Sequence, residues 1–565
     1  MMSLKEVVKA IVFGFCLLFS SNIWTQTTWH VATAGSDITG NGTELNPYAS
    51  LQKAEQQVQP GDTVYVHEGT YRNSDFDDGD IWEGDNLLTI TANGTSTDPI
   101  TFKPYPGDQV LLEFDATYGV VIKNSSYITF TGFEVKGIAD NITQTEADDA
   151  WGLYIDNADG LIYNLEDEIG INYPDPSPYA RGDDIPKVPK SLTKPSYFSG
   201  KGIVASQSHH IIITNNIVRD TPGSGIRSNG SDYVTISNNE VYNCTFYTTA
   251  GSGAVTVAET TVIPEGDLYA GTKIIIEKNY VHHNENRMIS YAATKDFLHF
   301  VIDEGTGIFL TRNSDTYAHG YIQISNNISA YNGASGIVCH KTFRSIIEHN
   351  TTYKNGTTND SAAGGIGINN VDDVIIRNNI SYAEPDHWAL GTLALPNTNV
   401  GIYNNLLYNE NGSEVIYNNL STGWTDANPL FTDANNEDYT LSAASPAIDA
   451  GSTLTIQIDD FQGNLRDDGI PDIGAYEYFN QLSIDNLERI NLRIYPNPVS
   501  ENLYIKVENQ NVDNVTIIDI TGKQVLSCSI IEGNKLDVSN LKPGLYLLNI
   551  KDGNNNIVVK KLIVK

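Results

Sequence analysis

A short apolar segment ending in asparagine recurs seven times through the middle of the chain, and it restricts the fold more than any other feature. The copies are Ile213-Thr-Asn-Asn216, Ile236-Ser-Asn-Asn239, Ile276-Glu-Lys-Asn279, Ile324-Ser-Asn-Asn327, Ile347-Glu-His-Asn350, Ile376-Arg-Asn-Asn379 and Ile402-Tyr-Asn-Asn405. Successive asparagines lie 23, 40, 48, 23, 29 and 26 residues apart. The short spacings suit one coil of a parallel β-helix, in which like residues stack on like, whereas a propeller blade needs about 40–45 residues per repeat. Asparagine recurring at a tight turn predicts a stacked, hydrogen-bonded amide ladder. Gly-Ile pairs recur in step at Gly202-Ile203, Gly225-Ile226, Gly307-Ile308, Gly336-Ile337 and Gly365-Ile366, with Gly253-Ala254 in the same place.

A solenoid needs capped ends. Leu51, Ala54 and Val58 have helical spacing between Pro47 and the turn Pro60-Gly61-Asp62, which predicts an amphipathic helix over the first coil. The core of such a solenoid is filled by stacked side chains, so function must sit on an outer face or between loops. The two long repeat spacings imply insertions near 260–272 and 287–306, and a third, rich in Pro and Tyr, spans 166–200. Beside consecutive coils they are expected to wall one cleft.

A few steps past each Gly-Ile pair the aligned residues read Ser206-Gln207, Ser228-Asn229, Val257-Ala258-Glu259, Thr311-Arg312, His340-Lys341 and Asn369-Asn370. Charge is confined to the middle of this column, at Glu259, Arg312, His340 and Lys341, on the coils that carry the insertions. Coils sit about 4.8 Å apart, so Arg312 and Lys341 are expected side by side, a costly arrangement unless an anion shares the site. The chain as a whole holds 34 Lys+Arg against 69 Asp+Glu, a formal charge of −35. That balance excludes a nucleic-acid binder and docking on anionic membranes. A basic column in such a background marks a place for a local anionic group.

Other candidates are acidic or aromatic. Asp303 and Glu304 form an acidic turn before Gly307, and Glu146, Asp148 and Asp149 form another; clustered carboxylates bind Ca²⁺ or serve as a hydrolase acid/base pair. Tyr291 and Lys295 lie on an insertion as reserve bases or substrate contacts, and Arg227 and Glu259 are further substrate contacts. Trp82, Trp151 and Tyr154 are candidates for stacking on sugar rings. His209-His210 is not expected to ligate a metal jointly, since adjacent side chains in a strand face opposite ways. No organic cofactor is implied. After residue 26, Cys244, Cys339 and Cys528 remain, an odd number without metal-ligand spacing, and are expected to be structural thiols.

The two ends concern export. Lys5 and Lys9 precede an apolar run over 10–19, too short to span a bilayer, and small residues lead to Gln26; residues 1–26 read as a secretory signal. The last part of the chain opens with Ile494-Tyr-Pro-Asn-Pro-Val-Ser-Glu-Asn-Leu503 and continues as short alternating strands separated by Thr521-Gly522, Lys542-Pro-Gly544 and Asp552-Gly553. The YPNP opening, "IIDITGKQV", "LKPGLYLLNI" and the basic end "VVKKLIVK" resemble the C-terminal sorting domain of the type IX secretion system of Bacteroidetes. That resemblance implies a small β-sandwich over 481–565, the type IX machinery as a partner, and secretion or cell-surface display.

Between these ends, "HVATAGSDITGNGTELNPYASLQKAEQQVQPGDTVYVHEGTY" resembles the start, and "SPAIDAG" with "DFQGNLRDDGIPDIGAYEY" the end, of secreted right-handed β-helix proteins of the polysaccharide-lyase-like type. The fold implied for 27–480 is an all-β, single-stranded parallel β-helix with an N-terminal capping helix, acting as a monomer. The function implied is a lyase that cleaves a uronic-acid polysaccharide by β-elimination, a reaction that needs a cation to neutralise the carboxylate and a base for the C5 proton. Arg312, His340 and Lys341 are the candidates for those two tasks, with Asp303 and Glu304 as candidate Ca²⁺ ligands. Two alternatives stand beside it. One is a glycoside hydrolase on a pectic or sulfated polysaccharide, using two of Asp148, Asp149, Glu259, Asp303 and Glu304. The other is a non-catalytic carbohydrate-binding or adhesin-like solenoid.

Overall fold

A computed structural model describes residues 26–479, apart from 77–84, 157–160, 165–191, 194–197, 249–251, 289–301, 303–304, 315–316, 318, 359–363, 412–414, 418–421 and 468. It also describes 492–565, apart from 496, 508–511, 520–522, 529–534 and 553–556. The chain divides into two compact units, up to Tyr478 and from Phe479.

The first unit is a parallel β-helix. Each coil runs through three sheets in turn, here numbered 1, 2 and 3. One coil is Lys201–Ser206, His209–Thr214 and Ile217–Arg219; the next is Ile226–Asn229, Asp232–Ser237 and Glu240–Tyr242. The coils pair in parallel, and along sheet 1 Ile203 pairs with Ile226, Ile226 with Val255, Val255 with Ile308, Ile308 with Ile337 and Ile337 with Ile366. These residues are fully buried and form one continuous core with the inward residues of sheets 2 and 3. The glycine of each Gly-Ile pair marks where sheet 1 starts hard against sheet 3. A Cβ on Gly202 would meet Val218 Cγ1 at 2.5 Å, and one on Gly225 would meet Val241 Cγ1 at 2.5 Å.

The asparagine ladder forms at the corner between sheets 2 and 3. The Oδ1 of Asn239 accepts the backbone N–H of Asn216 at 3.0 Å, and the same bond repeats from Asn239 through Asn279, Asn327, Asn350 and Asn379 to Asn405. Each Nδ2 also donates to an adjacent coil, so buried turn amides and carbonyls are satisfied without water. A second ladder, absent from the sequence reading, joins Cys244 to Asn284, Asn332 and Asn355 at the corner between sheets 3 and 1. It spans too few coils to stand out as a repeat.

The first coil is capped by a helix shorter than its spacing suggests, Leu51–Glu55. Ser50 Oγ accepts the Lys53 N–H at 3.1 Å, and Leu51, Ala54 and Val58 are buried on the core. Buried Glu55 finishes the cap by accepting the N–H groups of Thr91 and Ala92 at 2.8 and 3.1 Å. Beyond the last coil the chain folds back as a strap along the corner between sheets 2 and 3. Asn404 donates to Ala450 O, Asn378 to Ser452 O, Thr455 to Glu348, Asn326 to Asp459 O, and Lys278 pairs with Asp459 at 2.6 Å. Phe431 and Tyr439 of the same segment cover sheet 3 by packing on Tyr353.

The second unit holds two antiparallel sheets. One joins Leu492–Tyr495, Asn502–Val507 and Lys535–Asp537; the other joins Val512–Asp519, Gln524–Cys528, Gly544–Asp552 and Ile557–Val564. Leu503, Ile505, Val515, Ile517, Leu548 and Leu562 are buried in one shared cluster. Among the described residues no helix is long and apolar enough to cross a membrane.

Candidate functional site

Sheet 1 differs in charge from the other two sheets. The strands of sheet 1 are Leu88–Ile90, Tyr118–Lys123, Lys201–Ser206, Ile226–Asn229, Gly253–Ala258, Thr306–Asn313, the first part of Ile337–Glu348, Gly364–Asn369, Trp388–Ala394 and Ile416–Tyr417. Among these described residues the sheet 1 strands carry no Asp or Glu, yet they carry Lys123, Lys201, Arg227, Arg312 and His340. Sheet 2 mixes Asp232, Glu277, Glu348, Asp372 and Asp373 with Lys103, Lys273, Arg344 and Arg377, and sheet 3 mixes Glu113, Glu134 and Glu240 with Arg72, Lys136 and Arg219. Sheet 1 is thus the face whose described strands carry cations without carboxylates.

Long connections leave that face at both edges. The insertions over 166–200 and 287–306 connect sheet 3 to sheet 1, whereas the one over 260–272 connects sheet 1 to sheet 2. They therefore flank one sheet from opposite edges. At the first edge, a helix over Gln144–Asp149 is held by a capping box between Thr143 and Glu146. Ile142 O accepts the Tyr247 hydroxyl at 2.8 Å, and Arg287 lies 3.8 Å over the Phe246 ring, joining the loops of successive coils.

At the second edge, buried Lys273 lies between the rings of Tyr233 and Tyr317. Its Nζ is 2.5 Å from Asp267 and 3.7 Å from fully buried Asp232. The Lys273 ammonium holds Asp267 down at about 2, with help from the Tyr269 N–H and the Tyr233 hydroxyl. Tyr317 donates to Asp232, and Arg344 donates to Tyr317 O.

The expected basic column divides. Thr311 pairs with His340 and Asn313 with Thr342, which sets Arg312 beside Lys341 on adjacent coils as anticipated. Arg312 is nevertheless matched by Glu259 on its other side, Nε to Oε1 2.8 Å, with both side chains half exposed. His340 faces outward, its Nδ1 3.1 Å from Thr311 Oγ1 and its ring parallel to Phe309. Lys341 is exposed and has no carboxylate within 4 Å among the described residues. Glu259, Arg312 and Lys341 all have positive φ, 54°, 56° and 46°, in line with Asn124, Gln207, Gly230 and Asn370 of other coils. The corner between sheets 1 and 2 is thus a column of left-handed residues. Arg and Lys occupy this conformation at a cost that Gly or Asn avoids. Ser228 is displaced from the column: Ser206 pairs with Asn229, and Ser228 points into the core.

Arg227 belongs elsewhere, with a residue the sequence reading passed over. Lys201 opens its sheet 1 strand one position before Gly202. The aligned residues on other coils are Tyr118, Ser224, Gly253, Thr306, Ser335, Gly364 and Trp388, so Lys201 is the lone cation of that row. It is partly buried, its Nζ donating to Ser199 O at 3.0 Å and lying 5.6 Å over the Tyr118 ring. Burial, reinforced by the Arg227 charge, pushes the Lys201 ammonium down to about 8. The signal was a charged residue in a row of small, hydroxyl and aromatic side chains. Its burial, by contrast, is tertiary.

Several other expectations are corrected or lie outside the described residues. Trp151 is 2 % exposed, so it cannot stack on a sugar. His209 and His210 do come together, Nδ1 to Nδ1 2.8 Å, because His210 has φ 56°, which breaks the strand alternation. His210 stacks between Tyr127 and Tyr233, 4.4 Å from each. Trp82, Tyr291, Lys295, Asp303 and Glu304 lie outside the described residues, as does the Tyr154 side chain. Among the described residues no group of three or more His, Cys, Asp or Glu comes together to hold a metal ion. Asp148 and Asp149 stand in the wall between sheets 3 and 1, Glu259 at the opposite edge. Cys244 and Cys339 are buried free thiols, pushed up to about 12 by burial.

Comparison with known proteins agrees with this architecture. Residues 29–168 match the family described as "Pel9A-like, right handed beta helix region", residues 194–358 "Right handed beta helix region", and residues 493–565 "Secretion system C-terminal sorting domain". An endo-acting ulvan lyase of Formosa agariphila is 26% identical over 137 residues, 22% of this chain and 26% of that protein. The match thus spans about a quarter of that relative's length. Among solved structures, pectate lyase Pel9A is similar at 15% identity and a TM-score of 0.44, covering 80% of this chain and 97% of its own. PfbA, a surface adhesin of Streptococcus pneumoniae, is similar at 12% identity and a TM-score of 0.32, covering 63% and 78%. The chain is a right-handed parallel β-helix protein whose C-terminal sorting domain directs it through the type IX system to the cell surface or the medium.

Proposed function

We propose that the protein is a polysaccharide lyase that opens a uronic-acid polysaccharide by β-elimination over sheet 1. The observation that carries this reading is the sheet itself: strands free of Asp and Glu among the described residues, in a chain with 69 of them, holding Lys201, Arg227, Arg312 and His340. The ulvan and pectate lyases named above are consistent with it. In this reading Arg227 meets the uronate carboxylate and draws off its charge, which acidifies the C5–H bond. Neutral Lys201 accepts the C5 proton. A base that loses its own proton near pH 8 suits that step at the pH of most natural waters. The C5–H electron pair becomes the C4=C5 double bond, and the glycosidic oxygen leaves C4 and is protonated.

Arg312 and His340 lie farther along the face. Lys201 and His340 are four coils apart, about 19 Å along the axis, so they serve neighbouring units of a bound polymer rather than the reacting one. A chain made of anionic units matches a row of cations that one small acid would not need.

The test is a panel of uronic-acid and sulfated polysaccharides incubated with the full chain. Ultraviolet absorbance from a conjugated C4=C5 acid is expected with at least one uronate polymer. New reducing ends without that absorbance would replace elimination with hydrolysis. Binding without cleavage of any polymer would replace it with a carbohydrate-binding solenoid.

A further inference from the structure

A cavity of about 240 Å³ opens beside Lys341 at the corner between sheets 1 and 2, away from Lys201. Its lining includes Lys341, Phe343, Asn370, Asp372, Pro396 and Thr398. The chemistry around it is divided. Phe343 and Pro396 offer an apolar surface. Lys341 offers an exposed ammonium with no carboxylate within 4 Å among the described residues. Asp372 offers acceptor oxygens held in place by the Thr398 hydroxyl and by Asn399 Nδ2 at 2.9 Å. Asn370 Nδ2 donates to Asn369 Oδ1 at 2.9 Å.

An apolar surface, a fixed acceptor and a separate cation are what one acidic sugar ring presents in complement: a C–H face, hydroxyl donors and one anionic group. The size agrees. Pockets for drug-sized ligands run about 300–1,000 Å³, so this one suits a single ring and not an oligosaccharide. Lys341 also keeps a left-handed backbone, φ 46°, next to Asn370 with φ 52°, where asparagine would hold the turn with less strain. The turn geometry alone gives no reason for a lysine there.

We propose that this cavity is a second saccharide subsite, distinct from the Lys201–Arg227 centre, that takes one anionic sugar ring with its carboxylate or sulfate on Lys341. The proposal rests on the reading of sheet 1 as a polysaccharide-binding face and adds a site where a distant unit or a branch of the same polymer is held.

The experiment uses the full chain carrying Lys201→Met, Arg227→Ala, Arg312→Gln and His340→Gln, which removes the other cations placed against the polymer. It is titrated by NMR with glucuronate, glucose 6-sulfate and glucose. Both anions are expected to bind at least tenfold more tightly than glucose. Adding Lys341→Gln abolishes that preference, and adding Phe343→Ala weakens all three sugars. Lys341 is exposed, so the Lys341→Gln fold should be intact, and a melting curve checks it. Equal affinity for the three sugars, or a preference that survives Lys341→Gln, overturns the proposal. The two readings fail separately. Elimination on the polymer panel without a Lys341-dependent preference removes the subsite alone. A Lys341-dependent preference without elimination removes the lyase alone.

Discussion

Replacing Lys201 by methionine separates its proposed chemical role from its effect on the fold. An ordinary lysine ammonium titrates near 10.5, and that of Lys201 is pushed down to about 8. Folding therefore disfavours the charged form by about 3 kcal/mol. The sign follows from proton counting. Between pH 8 and 10.5 the unfolded chain binds the proton and the folded chain does not, so stability rises with pH across that window. Below pH 8 the penalty is present in full. Methionine keeps the length of the side chain and removes the charge, at the loss of the hydrogen bond to Ser199 O, worth about 1 kcal/mol. The expected net gain at pH 7 is about 2 kcal/mol, seen in calorimetry as a higher Tm than the parent. At pH 10.5 the gain should have disappeared. Elimination should fall by about 10²–10⁴-fold, the usual worth of a general base. Lys201→Arg, which keeps a charge that does not leave, should be inactive without the gain in Tm. Elimination within tenfold of the parent in Lys201→Met would remove Lys201 as the base. A Tm gain equal at pH 7 and pH 10.5 would refute the burial argument.

Arg227→Gln should lower kcat/KM and move the alkaline rise of the pH–rate profile upward, because the Arg227 charge helps depress Lys201; a downward shift would contradict the pairing. Arg312→Gly relieves a left-handed residue and should raise stability by about 1 kcal/mol in a melting assay, while weakening polymer binding in an affinity measurement. Asn327→Ala should cost roughly 3 kcal/mol, since it strips partners from the buried Asn279 N–H and side-chain amide and from Ile276 O; hydrogen exchange should quicken in the adjoining coils first. A chelator should leave elimination unchanged if Arg227 supplies the positive charge, whereas loss of activity restored by Ca²⁺ would transfer that task to an ion.

What could be read from sequence was what recurs once per coil. The asparagines align because each satisfies the same corner, and the Gly-Ile pairs align because sheet 1 crosses sheet 3 at the same close approach on every coil. Spacing also located the insertions, but not the edge from which each leaves. That depends on where in the coil the extra residues fall, a matter of how many residues separate them from the preceding ladder asparagine. The site was legible only in part. Arg312 beside Lys341 followed from register alone. Glu259 as the partner of Arg312 needed the side-chain directions that a left-handed corner imposes. Lys201 was missed because its charge is unremarkable and its burial is supplied by chain far away in sequence. Trp151 was misread for the converse reason, since a tryptophan on an insertion looks available until the loops around it are packed.

The strap changes how this solenoid should come apart. A repeat array held only by nearest neighbours frays from its ends, one coil at a time. Here Ala450, Ser452, Thr455 and Asp459 are tied in order to the coils of Asn404, Asn378, Glu348, Asn326 and Lys278, over sequence separations that grow from 46 to 181 residues. The last coils cannot peel away until those ties are released together. The C-terminal half of the solenoid should therefore melt as one cooperative block, leaving the N-terminal coils as the part that opens first.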